Sequence, residues 1–181
     1  EAGATVIWSD PRFNFMHAKV IIIDRAEALL STGNYNQSYM LKERNYAVRD
    51  RDAADVRSLQ AIFDADWQRQ TPDLSCTRLL VAPVNARERL LELINSAQTS
   101  LVIESMQFGD KDVRNAVAAR KAAGVDVRVI LADPGWIDSN ASAGTFLQQH
   151  GIRPKFYPHT HVKSIVVDGK APKLGLENKL D

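Results

Sequence analysis

Apolar residues along the chain fall into two kinds of run. One kind is short and has no helical spacing: Val20-Ile21-Ile22-Ile23, Ala28 to Thr32, Tyr46 to Val48, Arg78 to Ala82, Ser100 to Met106, Val125 to Ala132, Ile152 to Tyr157 and Val162 to Val167. Runs of this length, rich in β-branched residues and bounded by turn formers, predict strands. Residues 4–8, ATVIW, predict one more before the Ser9-Asp10-Pro11 turn. The other kind recurs every third or fourth position. Val56, Leu59, Phe63 and Trp67 do so behind Asp52; Leu90, Leu93, Ile94 and Ala97 do so again; Val113, Ala116 and Val117 follow Asp112 and stop at Gly124. Each stripe predicts a helix with one core-facing side, with Asp52 and Asp112 as N-caps. A short helix is predicted over Thr145 to Gln149, ended by Gly151, and a helical turn after Asn34-Tyr35-Asn36-Gln37.

Strands alternating with helices predict an α/β fold with a mostly parallel sheet flanked by helices. Thr71 to Ser75, containing Pro72, reads as a linker. The stretch after it carries a full β-α-β-α-β-α-β run; the stretch before His17 carries almost nothing.

The candidate chemistry lies in a repeat. His17-x-Lys19 precedes the isoleucine run, and Asp24 follows it. The same spacing returns as His161-x-Lys163, a β-branched run, and Asp168. An asparagine stands ten residues past each aspartate, at Asn34 and Asn178. Alternate residues of a strand share a face, so each histidine is paired with an ammonium group on one side. A lone histidine at a strand mouth is most simply structural, but two copies of one spaced pattern are not chance. Cation beside imidazole suits the holding of an anionic oxygen while a ring nitrogen does chemistry.

This doubled pattern resembles the phospholipase D superfamily, whose signature is H-x-K-x4-D followed by G-S-x-N. Ser31 and Thr32 take the Gly-Ser places in the first copy; Gly175 and Leu176 take them in the second, where a hydroxyl is missing. The resemblance implies a phospholipase D-like fold of two pseudo-twofold halves around one site. Residues 1–70 would be the C-terminal part of a truncated first half, 71–77 the linker, and 78–181 the second half. It implies catalytic roles for His17, Lys19, Asp24, His161, Lys163 and Asp168, with Thr32, Asn34 and Asn178 on the substrate phosphate. His17 would attack phosphorus, forming a phosphohistidine, and His161 would serve as acid and base. The aspartates would orient the imidazoles or, equally, hold the turns after the strands. No metal and no cofactor are implied, because fixed lysines supply the charge.

The implied function is phosphodiester cleavage, hydrolysing or transferring a phosphatidyl group. A nuclease and a catalytically inactive binding domain are the alternatives. A formal net charge of +1 argues mildly against a broad nucleic-acid surface. The partner would be a phospholipid or other phosphodiester, with membrane-surface association compatible and no oligomer required. Localisation is not legible: Cys76 is alone, no leader is visible, and a membrane-associated, periplasmic or secreted full-length protein would fit equally. Of the other singled-out residues, His159 reads as a loop residue near the pocket rather than half of a zinc site. His150 reads as structural at a helix end, Trp8 and Trp136 as core or rim packing, and Arg44-Asn45 as a polar stretch of little functional weight.

Overall fold

The computed structural model describes residues 2–170 and the backbone of Lys173 and Leu174. Two sheets carry the architecture. The first is an antiparallel meander of β1 (Val20–Ile23), β2 (Glu27–Ser31) and β3 (Ala47–Asp50), with the short helix α1 (Gln37–Lys42) between β2 and β3. The following helix, α2 (Ala53–Trp67), starts where the Asp52 carboxylate accepts the amide protons of Ala54 and Asp55. Strand alternation decides the core. Ala28 and Leu30 are buried against Val56 and Leu59 of α2, with Val20 and Ile22 packed on them, while Ile21 and Ile23 face outward.

The second sheet follows α3 (Ala86–Asn95). Its elements are β4 (Ser100–Ser105), α4 (Lys111–Ala122), β5 (Asp126–Ala132), α5 (Ser139–Gln149), β6 (Lys155–Tyr157), β7 (Lys163–Val167) and β8 (Lys173–Leu174). The spatial order is β6-β5-β4-β7-β8. β6, β5 and β4 run parallel; β7 enters antiparallel to β4 and pairs with β8 the same way. Ile94, Leu101, Ile103, Val117, Leu131, Leu147 and Ile152 are fully buried between sheet and helices. Truncating any one of the leucines or isoleucines to alanine costs about 2–5 kcal/mol. No described helix is long and apolar enough to cross a membrane.

A backbone seam joins the two sheets. The Arg44 amide donates to the His159 carbonyl at 2.8 Å, the His161 amide donates to the Arg44 carbonyl at 2.9 Å, and Arg44 and Thr160 form a parallel bridge. The seam lies beyond the C-terminal ends of β5 and β6, next to the entry of β7. That is where open α/β sheets place ligands.

Several sequence expectations are corrected. Residues 4–8 form no strand: Val6 and Trp8 are 82% and 88% exposed, and no described strand pairs with them. Trp8 is therefore neither core nor packed rim. Arg78 to Ala82 is not a strand either, because side chains take its backbone groups. Arg89 donates to the Thr77 and Leu79 carbonyls, and the Asn85 amide oxygen accepts the Val81 amide. The Arg78 guanidinium meanwhile bridges Asp52 and Asp55. The cap of α4 is Asp110, not Asp112; the Asp110 carboxylate accepts from Asp112 and Val113. α5 begins at Ser139, six residues early, because Asn140 is buried and its side chain bonds the backbones of Met106, Phe108 and Ala132. The stripe on α2 is half buried: Phe63 and Trp67 turn to solvent and stack on each other at 5.9 Å.

Candidate active site

The two histidine-lysine pairs are built alike. Each precedes a strand, and each lysine curls back on its own histidine: Lys19 Nζ donates to the His17 carbonyl at 2.6 Å, Lys163 Nζ to the His161 carbonyl at 2.9 Å. This return fixes an ammonium group beside each imidazole. The two rings meet across the seam, with centroids 6.1 Å apart and planes inclined by 50°. Lys19 is buried, which pushes its pKa down. Asn34 is half-buried, three residues past the end of β2. Asn178 lies outside the described residues, as do Gly175 and Leu176.

His161 is the better defined of the two rings. It is 5% exposed, and its Nδ1 lies 2.6 Å from the Thr32 carbonyl oxygen. A carbonyl can only accept, so Nδ1 carries the proton and Nε2 keeps the lone pair. Lys163 Nζ also stands 3.1 Å from Nδ1. Two donors cannot share that nitrogen, so the ammonium acts there as a charge, while it donates to the His161 carbonyl. Burial first, then the charges of Lys163, Lys19 and His17, push the imidazole pKa down to about 4 against the partial opposition of the Thr32 bond. His161 is therefore neutral at ordinary pH.

Thr32 enters the site through its backbone. Its hydroxyl accepts the Tyr46 amide at 2.9 Å and faces the Asn45 side chain at 3.3 Å. The close approach of Asn45 also explains Gly33: a Cβ there would sit 2.4 Å from Asn45 Cγ.

For the aspartates, expected either to orient the imidazoles or to hold the turns, the local geometry is that of a turn. Asp24 and Asp168 each come directly after the last residue of the strand beside the lysine, five residues and roughly 16 Å from that lysine at strand rise. Both have φ of 52°, followed by Arg25 at 55° and Gly169 at 67°. Each pair forms the centre of a turn closed by one backbone hydrogen bond, from the Ala26 amide to the Ile23 carbonyl and from the Lys170 amide to the Val167 carbonyl, and positive φ at both central residues is the primed-turn geometry. Asp168 also accepts from the amides of Gln98, Thr99 and Ser100 and from the Thr99 hydroxyl. Those bonds hold its pKa well below the usual carboxylate range. Asp168 thus anchors the turn to the start of β4.

At the rim, Trp136 meets His159 edge-on at 5.4 Å, and the Arg44 guanidinium lies 5.3 Å over the Tyr157 ring. His150 caps α5, with Nδ1 2.8 Å from the Phe146 carbonyl. Among the described residues, no group of three His, Cys, Asp or Glu could hold a metal ion. Sequence reading missed the Thr32 carbonyl, Tyr46 and Glu104, whose carboxylate accepts from the Tyr46 phenol and the Thr160 hydroxyl. The only signal was a carboxylate in the middle of the apolar run SLVIESM.

Comparison with known proteins places these features in context. A family profile described as cardiolipin synthase, PLD-like domain, matches residues 90–175. A polyphosphate kinase of Klebsiella pneumoniae is 29% identical over 146 residues, 72% of this chain and 21% of the relative. A cardiolipin synthase of Alkalihalophilus pseudofirmus is 27% identical over 197 residues, 90% of this chain and 39% of the relative. The chain thus spans between a fifth and two fifths of these relatives. The solved structure of a phosphatidylserine synthase from Haemophilus influenzae shares the fold, with a TM-score of 0.64 at 14% identity over 84% of this chain and 51% of that one.

Proposed function

The chain belongs to the phospholipase D superfamily, and on that premise we propose that it cleaves a phosphodiester through a phosphohistidine and passes a phosphatidyl group to water or an alcohol. The carrying observation is the 6.1 Å approach of two imidazoles, each with its own lysine ammonium. Such a gap suits one phosphate. Lys19 and Lys163 hold its non-bridging oxygens, with Asn34 beside them.

The resemblance gave attack to His17, but the electrostatics support the reverse. An acid must present a proton to the leaving oxygen, and neutral His161 carries its one proton on Nδ1, with none on Nε2. With Nδ1–H held by the Thr32 carbonyl, Nε2 is a ready nucleophile. In the first step Nε2 of His161 bonds to phosphorus. The bond to the leaving oxygen breaks, and protonated His17 gives that oxygen its proton. In the second step His17 takes a proton from water or alcohol, the new oxygen bonds to phosphorus, and the N–P bond breaks.

The test is turnover of bis(p-nitrophenyl) phosphate in EDTA, then of phosphatidylcholine vesicles against plasmid DNA. Turnover of the diester and the vesicles supports the reading. Turnover of DNA alone makes the protein a nuclease, and no turnover makes this chain a binding domain. Polyphosphate belongs in the same panel, because one relative is named a polyphosphate kinase; its consumption without diester cleavage would move the reading to phosphoanhydrides.

A further inference from the structure

A carboxylate in the middle of a core strand costs free energy unless its oxygens are satisfied. Glu104 lies in β4 between Ile103 and Ser105, and both of its oxygens are used. Oε1 accepts from the Thr160 hydroxyl at 2.7 Å; Oε2 accepts from the Tyr46 phenol at 2.9 Å. The two donors come from opposite sides of the seam. Tyr46 precedes β3 of the first sheet, and Thr160 is the residue before His161.

Followed onward, the contacts close a ring. The Tyr46 amide donates to the Thr32 hydroxyl at 2.9 Å, and the Thr32 amide donates to the Tyr46 carbonyl at 3.0 Å. The Thr32 carbonyl accepts a hydrogen bond from His161 Nδ1–H at 2.6 Å. His161 is bonded to Thr160, and Thr160 returns to Glu104. Each link in the circuit is a short polar contact or a peptide bond, and Thr160 is fully buried.

We propose that Glu104 is the positioning residue for His161: it ties the Thr32 carbonyl and the His161 backbone to one strand, so that the ring keeps the tautomer with Nε2 free. Glu104 touches neither the substrate nor a reacting nitrogen. It acts by fixing, from both ends, the distance over which Nδ1–H meets its acceptor. A charged acceptor suits the task, because bonds to a carboxylate are about twice as strong as neutral ones. The same bond pushes the Tyr46 phenol pKa up. The kinetic part of this inference rests on the proposed phosphodiester chemistry; the tautomer part does not.

The experiment reads the tautomer directly, by 15N spectra of histidine-labelled protein, with the His161 signals identified by their loss in His161→Asn. In the wild type we expect Nδ1 protonated and Nε2 bare. Glu104→Ala should give a mixture of tautomers that titrates nearer the ordinary imidazole range. Glu104→Gln should restore the wild-type pattern, since its amide accepts from Tyr46 and donates to the Thr160 hydroxyl. With a diester substrate, Glu104→Ala should lower kcat on the order of 10²-fold with KM little changed, and Gln should recover most of it. Tyr46→Phe removes one hydroxyl from an exposed ring and serves if the alanine variant fails to fold; it should move the tautomer the same way by a smaller amount. An unchanged Nδ1–H pattern in folded Glu104→Ala or Tyr46→Phe overturns the inference. An inactive wild type that keeps the expected spectra would overturn the proposed function and leave Glu104 in place.

Discussion

The two hairpins that carry the repeated motif differ in their surroundings far more than in their sequence. Both begin with a histidine whose carbonyl is held by its own lysine, and both close with two residues at positive φ. β1, however, pairs with β2 alone among the described strands, whereas β7 lies between β4 and β8. Asp168 is anchored to Gln98, Thr99 and Ser100, and His161 is held by the Thr32 carbonyl from the other sheet. The motif builds a hairpin with a cation beside an imidazole. The sheet around the hairpin decides how tightly that imidazole is held, and so what it can do.

Several perturbations would break or sharpen this contrast. The largest effect is expected at the histidines: His17→Asn and His161→Asn should each cost about 10⁴-fold or more in kcat, since residues acting as one unit fail together. Residual activity in either variant, read in single-turnover assays, would remove that ring from the chemistry. Next come the lysines. Lys19→Met and Lys163→Met should each lower kcat by about 10²- to 10³-fold, the size found when one oxyanion donor is removed.

Acid should separate the halves by pH window. The His161 pKa in the fold is about 4, below its ordinary 6.5. An unfolded chain therefore takes up that proton first, and stability is lost as pH falls from 6.5 toward 4. The loss contributed by Asp168 comes lower, below the ordinary carboxylate pKa, because its folded value is depressed. Urea midpoints across pH should show the upper window vanish in His161→Asn and the lower one persist.

The smallest effects belong to the turns. Gly169 has φ of 67° and open space where a Cβ would go, so Gly169→Ala should cost only backbone strain, about 1 kcal/mol. Arg25 holds φ of 55° with a side chain, so Arg25→Gly should stabilise by about 1 kcal/mol, read as a higher urea midpoint. Equal and opposite shifts would establish that the two turns are one structure with different residues.

Much of this was legible in the sequence. The isoleucine and valine runs gave their strands within a residue or two, because β-branched runs between turn formers have few other uses. The motif spacing set the histidine-lysine faces. What escaped was non-local. The Thr32 carbonyl lies 129 residues from the ring it holds, and a backbone atom leaves no trace in residue identity. The start of α5 depended on Asn140 finding three backbone partners. The run at 78–82 looked like a strand until Arg89 and Asn85 claimed its polar groups. For the aspartates the spacing left two roles open, and only the three-dimensional contacts of Asp168 with Gln98, Thr99 and Ser100 add to the turn reading.

The most direct measurement is the site of the covalent adduct. An active preparation, quenched in acid-free conditions during turnover of a diester, should carry the phosphoryl group on the peptide containing His161 in a mass spectrum. An adduct on His17, or none from a preparation that turns over substrate, would contradict the assignment of His161 as the neutral, Nδ1-locked nucleophile.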